Sequence, residues 1–411
     1  MRLPQLTSGL ALMGLVASTA YAQAPQSAGV LEFGLDDTLF VADSVAGEIH
    51  AFDLPDAGAP PAEDIAYNLL DLDSRIEGAL GAEARSIRYS DLAVHPVTRD
   101  AYIALTAFVD GAEKTAIVSV MRDGAVAVLD LAAIPSSTFT LQDKADDSVS
   151  FWRDIPAPTL TVTDLDFVNG QLFVSGLSTG EFASTLRRVP YPFSQDASST
   201  GLEIYHAAHG QNETRAPIRA MTVVDLEGTP TVVAAYTCTP LVTIPVGDLQ
   251  DGANITGKTI AELGYGNTPL DVLPFSTQNQ QGETESYVLV INREMDADLI
   301  RMEALTAAAA APGITEPVPY LGATSGLETT PLPLSGVLHV ADQDNQFLVA
   351  LKRNLDTGAM DLVSFRKGAF FRLSDFVSEY NFPSYEYADN RASQGIKMFQ
   401  NMLKLDEGFP D

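Results

Sequence analysis

A strand pattern that returns about every 60 residues constrains this chain more than any other feature. It is clearest from Val30 to Asp53, where a strand of alternating residues leads through a turn into a second strand rich in aromatic and β-branched residues. Equivalent second strands are centred on Phe40, Tyr102, Phe173, Val233, Val288 and Leu348. Because repeated four-stranded units close into a ring, the sequence predicts an all-β fold, a β-propeller of six four-stranded blades spanning residues 28–375.

The sixth unit shows only three clear strands, which are predicted at 337–341, 347–353 and 360–365. We therefore expect N-terminal and C-terminal segments to share one blade, an arrangement that protects the strand edges. The fourth strand of the fifth unit is predicted at 316–320, and residues 132–158 are predicted to form a long loop between blades. A set of β-sandwiches, or a seventh blade within 132–160 or 304–335, would fit the same pattern.

The N-terminus has the features of an export signal. A short apolar core, Leu6–Ala17, is followed by Ala20-Tyr21-Ala22, which matches the small-x-small cleavage pattern. Residues 1–22 are therefore predicted to be a signal peptide and the mature protein to be periplasmic or secreted, with a buried N-terminal helix as the alternative. We expect no membrane span, because about 17–25 apolar residues are needed for one. Residues 376–411 are predicted to form a tail containing a short amphipathic helix.

The composition excludes some partners. The chain has 54 acidic and 24 basic residues, a net charge of −30, and the acidic residues are dispersed along it. Nucleic acid is excluded as a partner, because binding to phosphates requires clustered Lys and Arg. The single cysteine, Cys238, excludes an internal disulfide and the usual covalent haem attachment. A small molecule or another protein remains as the expected partner.

Charged residues recur where the innermost strand of each unit begins. These positions hold Glu32, Asp91, Asp164, Arg219 and Asp271. Carboxylates gathered around one axis repel each other unless a cation or an arginine neutralises them, and Ca²⁺ or Mg²⁺ accepts such oxygen ligands. The alternative is that each aspartate accepts hydrogen bonds from backbone near its strand start.

A second group of functional side chains lies in the loop from Glu203 to Arg215. It contains His206, His209, Glu213 and Arg215, and the loop with Tyr236 and Cys238 is expected beside it, on the same face. Imidazole and thiolate together suit zinc or copper. Two alternatives stay open: the two histidines point to opposite faces of a strand, and Cys238 is a small buried apolar side chain.

The first unit resembles a blade of the NHL, gluconolactonase-like and YVTN-type propellers. The resemblance is carried by Phe33-Gly-Leu-Asp-Asp-Thr-Leu-Phe-Val-Ala-Asp and by Gly47-Glu-Ile-His-Ala-Phe-Asp. Segments 90–97, 181–187 and 235–242 are similar to exported bacterial propeller proteins without an assigned activity. The gluconolactonase resemblance implies a divalent cation held in the channel by Glu, Asn and Asp. Glu32, Asn292 and Asp271 are the residues that match those types here.

These observations favour a binding protein over an enzyme, because no Gly-x-Ser-x-Gly or phosphate-loop motif is present. We expect a small ligand, a metal or a partner protein at the channel mouth. Arg215 and Arg219 are predicted to anchor an anionic group, with Glu213 orienting them. The alternative is a lactonase-like hydrolase that uses Ca²⁺, Mg²⁺ or Zn²⁺ as cofactor, with its cation held by Glu32, Asp164, Asp271 and Asn292. A structural scaffold is a third reading.

Overall fold

Six antiparallel sheets surround a central channel in a computed structural model of the chain. The structure describes residues 25–370, apart from 36, 56, 57, 63, 65, 82–85, 153 and 280, and in addition Arg372 and Phe382. Within this part of the chain the predicted six-bladed propeller is confirmed, and neither a pair of sandwiches nor a seventh blade is present. The predicted signal peptide and the predicted C-terminal helix lie outside the described residues.

The first two sheets are built from the N-terminal third of the chain. From the channel outward, sheet 1 contains β1 (Val30–Phe33), β2 (Thr38–Asp43), β3 (Glu48–Asp53) and β9 (Ser136–Thr140). Sheet 2 contains β5 (Arg88–Val94), β6 (Ala101–Val109), β7 (Ala112–Val120) and β8 (Val126–Val128). All six residues of β2 are buried, because neighbouring sheets cover both faces of sheet 1.

Sheets 3 and 4 carry extra strands beyond the usual four. Sheet 3 contains β12 (Asp164–Val168), β13 (Gln171–Leu177), β14 (Ser184–Pro190), β15 (Ser198–His206) and β16 (Gln211–Glu213), and β20 (Asn254–Thr256) pairs with β15 in parallel. Sheet 4 contains β17 (Ile218–Leu226), β18 (Thr229–Tyr236), β19 (Pro240–Pro245), β21 (Lys258–Glu262) and β25 (Ser325–Gly326). A separate hairpin joins β10 (Ser150–Phe151) to β11 (Ile155–Pro156).

Sheets 5 and 6 complete the ring. Sheet 5 contains β22 (Pro269–Gln278), β23 (Thr284–Asn292), β24 (Ala297–Arg301) and β26 (Thr330–Leu332). Sheet 6 contains β27 (Val337–Asp342), β28 (Phe347–Arg353), β29 (Met360–Arg366) and β4 (Asn68–Leu69). The missing fourth strand of the last unit is thus supplied from near the N-terminus, as the prediction of a shared blade required.

The sheets do not follow one another around the ring in chain order. Their inner strands meet in the order sheet 2, sheet 1, sheet 3, sheet 4, sheet 5, sheet 6 and back to sheet 2. After β3 the chain skips the neighbouring sheet 2 and adds β4 as the outer strand of sheet 6. It then forms the four strands of sheet 2 and returns to sheet 1, where β9 becomes the outer strand. Sheets 1, 2 and 6 are therefore held together by exchanged outer strands as well as by packing.

Tyr67 stabilises the closure of the ring between sheets 2 and 6. Its hydroxyl lies 2.9 Å from the Val120 carbonyl, to which it donates, and it accepts from the Ala101 backbone N–H at 3.1 Å. Its own backbone N–H donates to the Ser364 hydroxyl at 2.7 Å. One buried residue thus bonds to both sheet 2 and sheet 6, and burial raises the pKa of its phenol, so it stays a neutral donor.

An apolar cluster fills each of the six junctions between neighbouring sheets. Successive side chains of β2 point to opposite faces of sheet 1 and so pack into different junctions. Leu39 packs towards sheet 2, and Phe40 packs towards sheet 3. Fully burying one such side chain contributes about 1.5–3 kcal/mol. The ring is therefore stabilised by many similar junctions, with no single central core.

Helix is scarce, as predicted. Helix α1 (Leu72–Leu80) packs Leu72 and Ile76 into the junction of sheets 2 and 6, and α2 (Met302–Ala310) packs Leu305 into that of sheets 4 and 5. Short 3₁₀ turns occur at Leu131–Ala133, Ala157–Leu160 and Val246–Asp248. No helix in the described part of the chain combines the length and the apolar character needed to cross a membrane.

Two predicted segments were assigned wrongly. Residues 316–320 are irregular, and the outer strand of sheet 5 is β26 instead, because helix α2 takes up the chain immediately after β24. Residues 132–158 are not simply a loop, since they contain β9, which completes sheet 1, and the β10–β11 hairpin. Both errors concern outer strands, which are short and carry weak alternation.

Candidate functional site

The channel contains two chambers that share a ring of three aspartates. The entry chamber, about 350 Å³, lies on the face where the inner strands begin, which we call the entry face. The lower chamber, about 300 Å³, lies deeper along the same strands. Asp91, Asp164 and Asp271 line both chambers and mark the boundary between them. Three of the predicted metal ligands therefore do converge around the axis.

These aspartates come from alternate sheets and have the same hydrogen bonds. One oxygen of each accepts the backbone N–H of the next residue, at 2.8 Å for Asp91, 2.9 Å for Asp164 and 3.1 Å for Asp271. The other oxygen accepts an N–H from the neighbouring sheet; these donors are Leu31 at 2.7 Å, Met221 at 2.6 Å and Val340 at 3.0 Å. The aspartates thus link sheet 2 to sheet 1, sheet 3 to sheet 4, and sheet 5 to sheet 6.

Burial makes two of these carboxyl groups, those of Asp91 and Asp164, harder to ionise. Burial raises the pKa of Asp91 to about 6, although His339 opposes the shift. Burial, followed by repulsion from Asp271, raises the pKa of Asp164. The backbone N–H donors hold the three carboxylates in place, while repulsion from Asp271 disfavours charge on Asp91 and Asp164.

His339 is a channel residue that the sequence analysis missed. It lies on β27 at the position that corresponds to the aspartates, with Nδ1 3.5 Å from Asp91 Oδ1 and 3.8 Å from Asp271 Oδ2. Burial lowers its pKa, but the bond to Asp271 and the charge of Asp91 outweigh burial and raise it. The only signal in the sequence is its place as the third residue of the inner strand of the sixth unit.

Two arginines face the entry chamber above this ring. Arg219, at the start of β17, is half-buried and makes no hydrogen bond or ion pair with any described residue. Arg293 follows β23, and its guanidinium approaches an acidic group only at 4.0 Å, from Glu294. Burial and the charge of Arg293 lower the pKa of Arg219. Two guanidinium groups therefore share one cavity, and the Arg219 guanidinium lies within bonding distance of no acceptor among the described residues.

The lower chamber holds carboxylates that also fasten sheets together. Glu32 accepts the Phe167 N–H at 3.4 Å, and Asp166 accepts the Val223 N–H at 2.5 Å and the Thr222 hydroxyl at 3.1 Å. Burial raises the pKa of Glu32, and repulsion from Asp166 raises it further. Burial also raises the pKa of Asp166, to about 6.

The proposed lactonase-like ligand set is not brought together. Asn292 ends β23, lines neither chamber, and donates to Asp298 and to the Asp296 carbonyl, each at 2.9 Å. Glu32 lines only the lower chamber, below the ring of Asp164 and Asp271. Both oxygens of each ring aspartate already accept backbone N–H groups. The alternative expectation, aspartates bonded to backbone near a strand start, matches this geometry.

The rim site, which consists of His206, His209 and Cys238, lies on the entry face but outside the channel. His206 ends β15, His209 lies in the following turn, and Cys238 lies between β18 and β19. One potential ligand atom from each of the three lies within 4.8 Å of the others. The two histidines do not point to opposite faces, because the strand ends before His209. None of the three lines either chamber.

Two glutamates surround the rim site. Glu213 bonds to both histidines, at 2.9 Å from His206 Nδ1 and 2.6 Å from His209 Nδ1. Burial opposes it, but the bonds from His209 and His206 lower the pKa of Glu213. Glu262 accepts the N–H of Ala207 at 2.6 Å and a short hydrogen bond from the Thr239 hydroxyl.

The remaining predicted ligand residues belong to neither cluster. Tyr236 is buried in the apolar junction between sheets 3 and 4. Arg215 is exposed and lies outside the entry chamber. Glu213 bonds to the histidines and Gln211, so it does not orient Arg215 and Arg219 as predicted. The single predicted pocket is thus two separate sites.

Cys238 has an unusual backbone conformation, with a φ of 84°. This left-handed conformation costs a non-glycine residue of order 1–3 kcal/mol and persists only where surrounding contacts impose it. Here Thr239 anchors the next position through Glu262. The turn therefore places the Cys238 backbone beside the histidines.

No protein-family model matches the sequence, and a comparison with curated proteins finds no match. Among solved structures, virginiamycin B lyase from Staphylococcus aureus aligns with 82% of this chain and 95% of its own, at 7% identity and a TM-score of 0.33. A streptogramin B lyase aligns with 84% and 95%, at 7% identity and 0.31, and a glucose dehydrogenase with 84% and 97%, at 10% identity and 0.28. TM-scores this low support no inference about activity.

Proposed function

We propose that this protein binds a small anionic molecule in the entry chamber. The observation that carries the proposal is Arg219, a half-buried guanidinium without a hydrogen-bond acceptor in the described protein, beside a second arginine, Arg293, in a cavity of about 350 Å³. The partly desolvated guanidinium of Arg219 is costly to leave unpaired, while Arg293 is exposed and adds positive charge at the mouth of the cavity. A carboxylate, sulfate or phosphate matches their geometry and charge.

The floor of the chamber defines the other end of such a ligand. The ring of Asp91, Asp164 and Asp271, with His339 between two of them, is acidic and rich in acceptor oxygens. A hydroxyl or amino group suits this floor, whereas a second anionic group would be repelled. We infer that the ligand carries an anionic group at one end and a hydroxyl or amino group at the other. The cavity volume limits it to a small molecule.

A larger cavity of about 450 Å³ gives weaker support. It lies between the outer strands of sheets 1 and 3 and is lined by Asp143 and Arg187 among others. Arg187 is buried, but it already bonds to Asp143 at 2.7 Å and to the carbonyls of Thr161 and Leu177. Since its donors are used within the protein, no ligand is needed to satisfy them.

We also propose that the protein acts outside the cytoplasm, as the pattern in residues 1–22 suggests. N-terminal sequencing of protein recovered from the periplasm or the medium should begin at Gln23. Recovery of full-length chain from the cytosol only would contradict export.

Calorimetric titration of the purified protein with inorganic phosphate, sulfate, glycerate and serine tests the binding proposal. We expect saturable binding of at least one of these anions. Serine carries an amino group as well as a carboxylate, so it tests whether the acidic floor binds an amino group. R219Q should weaken that binding by about 10–100-fold, because a charge-assisted bond contributes about 1.5–3 kcal/mol.

R215Q provides the matched control, since Arg215 is an exposed arginine outside the chamber. Binding should be unchanged in R215Q. Equal losses in both variants would indicate a diffuse surface effect, and no saturable binding of any of the four probes would contradict the proposal.

A further inference from the structure

We propose that His206, His209 and Cys238 bind one Zn²⁺ ion at the rim of the propeller, where sheets 3 and 4 meet on the entry face. The site is separate from the channel and does not rest on the function proposed above. Nitrogen and sulfur donors select Zn²⁺ over Ca²⁺ and Mg²⁺, which take oxygen ligands.

The spacing of the donors fits one ion. One atom from each residue lies within 4.8 Å of the other two. The imidazole ring centroids are 3.7 Å apart, closer than two rings that both point a nitrogen at one ion, so metal binding requires one ring to turn away from the other. In a tetrahedral site with bonds of about 2.0–2.3 Å, ligand atoms are separated by roughly 3.3–3.8 Å. A closure of about 1 Å or less brings three donors into range, and this is within the reach of side-chain rotation.

Glu213 orients both imidazoles as a metal site requires. Its two oxygens accept the Nδ1–H groups of His206 and His209, one oxygen to each ring. This bonding assigns the proton of each neutral ring to Nδ1 and leaves the Nε2 lone pair for a metal. A carboxylate behind metal-binding histidines is the usual supporting arrangement. The hairpin of β15 and β16 produces it by pairing Ile204 with Glu213.

The surroundings of His206 Nε2 give an independent argument. Its neighbour is the Thr239 hydroxyl oxygen at 3.3 Å, but that hydroxyl donates its hydrogen to Glu262. Thr239 therefore offers no proton to Nε2, so in a neutral ring protonated on Nδ1 the buried Nε2 lone pair faces the Thr239 oxygen without receiving a hydrogen from it. A bound cation supplies the missing partner. The competing explanation is a metal-free imidazolium held between Glu213 and Glu262.

The site is open on one side. The His209 side chain is 33% exposed and stacks against Tyr320, with ring centroids 5.9 Å apart, and Cys238 is half-buried. An ion can reach the three ligands from solvent without unfolding the sheets. Three protein ligands leave the fourth position of a tetrahedral ion for water or an external ligand.

Metal uptake and thiol protection test the proposal with the full chain. After removal of metals with a chelator and dialysis against Zn²⁺, elemental analysis should give about one Zn²⁺ per chain, with no comparable uptake of Ca²⁺ or Mg²⁺. Because Cys238 is the only cysteine, its reaction with a thiol reagent reports on this site alone. One equivalent of Zn²⁺ should slow that reaction at least 10-fold, and a chelator should restore it. Co²⁺ should produce a thiolate charge-transfer band.

Two variants separate binding from folding. C238S and H209A should each lower Zn²⁺ uptake at least 10-fold, while T237A, a neighbouring exposed loop residue, should match the wild type. Circular dichroism and thermal melting of each variant check the fold. The proposal is overturned if wild-type protein takes up no Zn²⁺, if Zn²⁺ leaves Cys238 equally reactive, or if folded C238S and H209A bind Zn²⁺ as the wild type does. Each of these outcomes would leave the rim site without metal and would favour the metal-free imidazolium.

Discussion

The ring of aspartates in the channel and the rim site lie on the same face, yet their polar atoms are in opposite situations. Each oxygen of Asp91, Asp164 and Asp271 already accepts a backbone N–H group. At the rim, Glu213 accepts hydrogen bonds from both histidines, and one potential ligand atom from each of His206, His209 and Cys238 lies within 4.8 Å of the others. The pKa shifts differ accordingly: burial raises the pKa of Asp91, whereas bonds from the histidines lower that of Glu213 against the effect of burial.

This difference shows that residue type alone does not make a metal site. The aspartates are the ligand type that Ca²⁺ prefers, but each of their oxygens already accepts a backbone N–H, one from the next residue and one from a neighbouring sheet. The rim histidines are fewer and less regular in sequence, but their free atoms converge. We therefore assign the channel acids to stability and ligand orientation, and the rim to metal binding. The predictions below set these assignments against each other.

The largest effect is expected from Asp164. D164A leaves the backbone N–H groups of Leu165 and Met221 without their acceptor, and each such loss costs about 1–3 kcal/mol. Relief of repulsion from Asp271 offsets part of this cost, so we expect the free energy of unfolding to fall by about 3 kcal/mol. Chemical denaturation measures it.

C238A is the matched rim variant and should change the free energy of unfolding by about 1 kcal/mol or less, because its side chain joins no sheets. D164N, which keeps one acceptor, should fall between the two. If C238A destabilised the protein as much as D164A, the contrast between the two regions would be wrong.

Most of the fold could be predicted because its signal is local. Alternation with period two and turn residues located the inner three strands of most blades, and the repeat length gave the blade number. The order of the sheets could not be predicted, since it depends on β4 and β9. These outer strands are two and five residues long, and Ser136–Thr140 contains one aromatic residue and no aliphatic one. Their partners lie far away along the chain, where single-sequence patterns carry no information.

The candidate sites, like the fold, could be predicted from the sequence only in part. The expectation that loops on one face approach each other placed His206 near Cys238, because antiparallel order fixes the face on which each loop lies. Two features of the channel could not be predicted without the folded ring. The N–H partner of each aspartate belongs to another sheet, and Arg293 reaches the chamber only from the loop after β23. Sequence spacing records neither.

The second prediction concerns the carboxylate behind the rim histidines. E213Q keeps the size of the side chain but retains one acceptor oxygen for two Nδ1–H groups. Loss of such a supporting group typically costs 10–100-fold in metal affinity, and we expect Zn²⁺ binding to weaken by about that factor. Competition with a chromophoric chelator measures it. Anion binding in the channel should be unchanged, and a parallel loss there would show that the two sites are not separate.

The smallest effect is a pH dependence in which the channel aspartate Asp91 contributes less stability as the pH rises. The pKa of Asp91 is about 6 in the folded protein and 3.8 in an unperturbed carboxyl, so between these values the folded state holds a proton that the unfolded state has lost. The contribution of Asp91 to stability therefore decreases as the pH rises from about 4 to about 6, by up to about 2 kcal/mol. D91N removes this titration, so the difference in unfolding free energy between wild type and D91N should decline across that range.

Asp146 gives a control of opposite sign. It is exposed, and hydrogen bonds from the backbone and side chain of Ser148 lower its pKa, so its contribution to stability is lost as the pH falls. The difference between wild type and D146N should therefore rise slightly with pH while that for D91N declines. Parallel curves for wild type and D91N would mean that Asp91 is as free to ionise as a surface carboxyl. The ring would then be a solvated acidic opening, and it would favour cations over the hydroxyl or amino group that we assign to its floor.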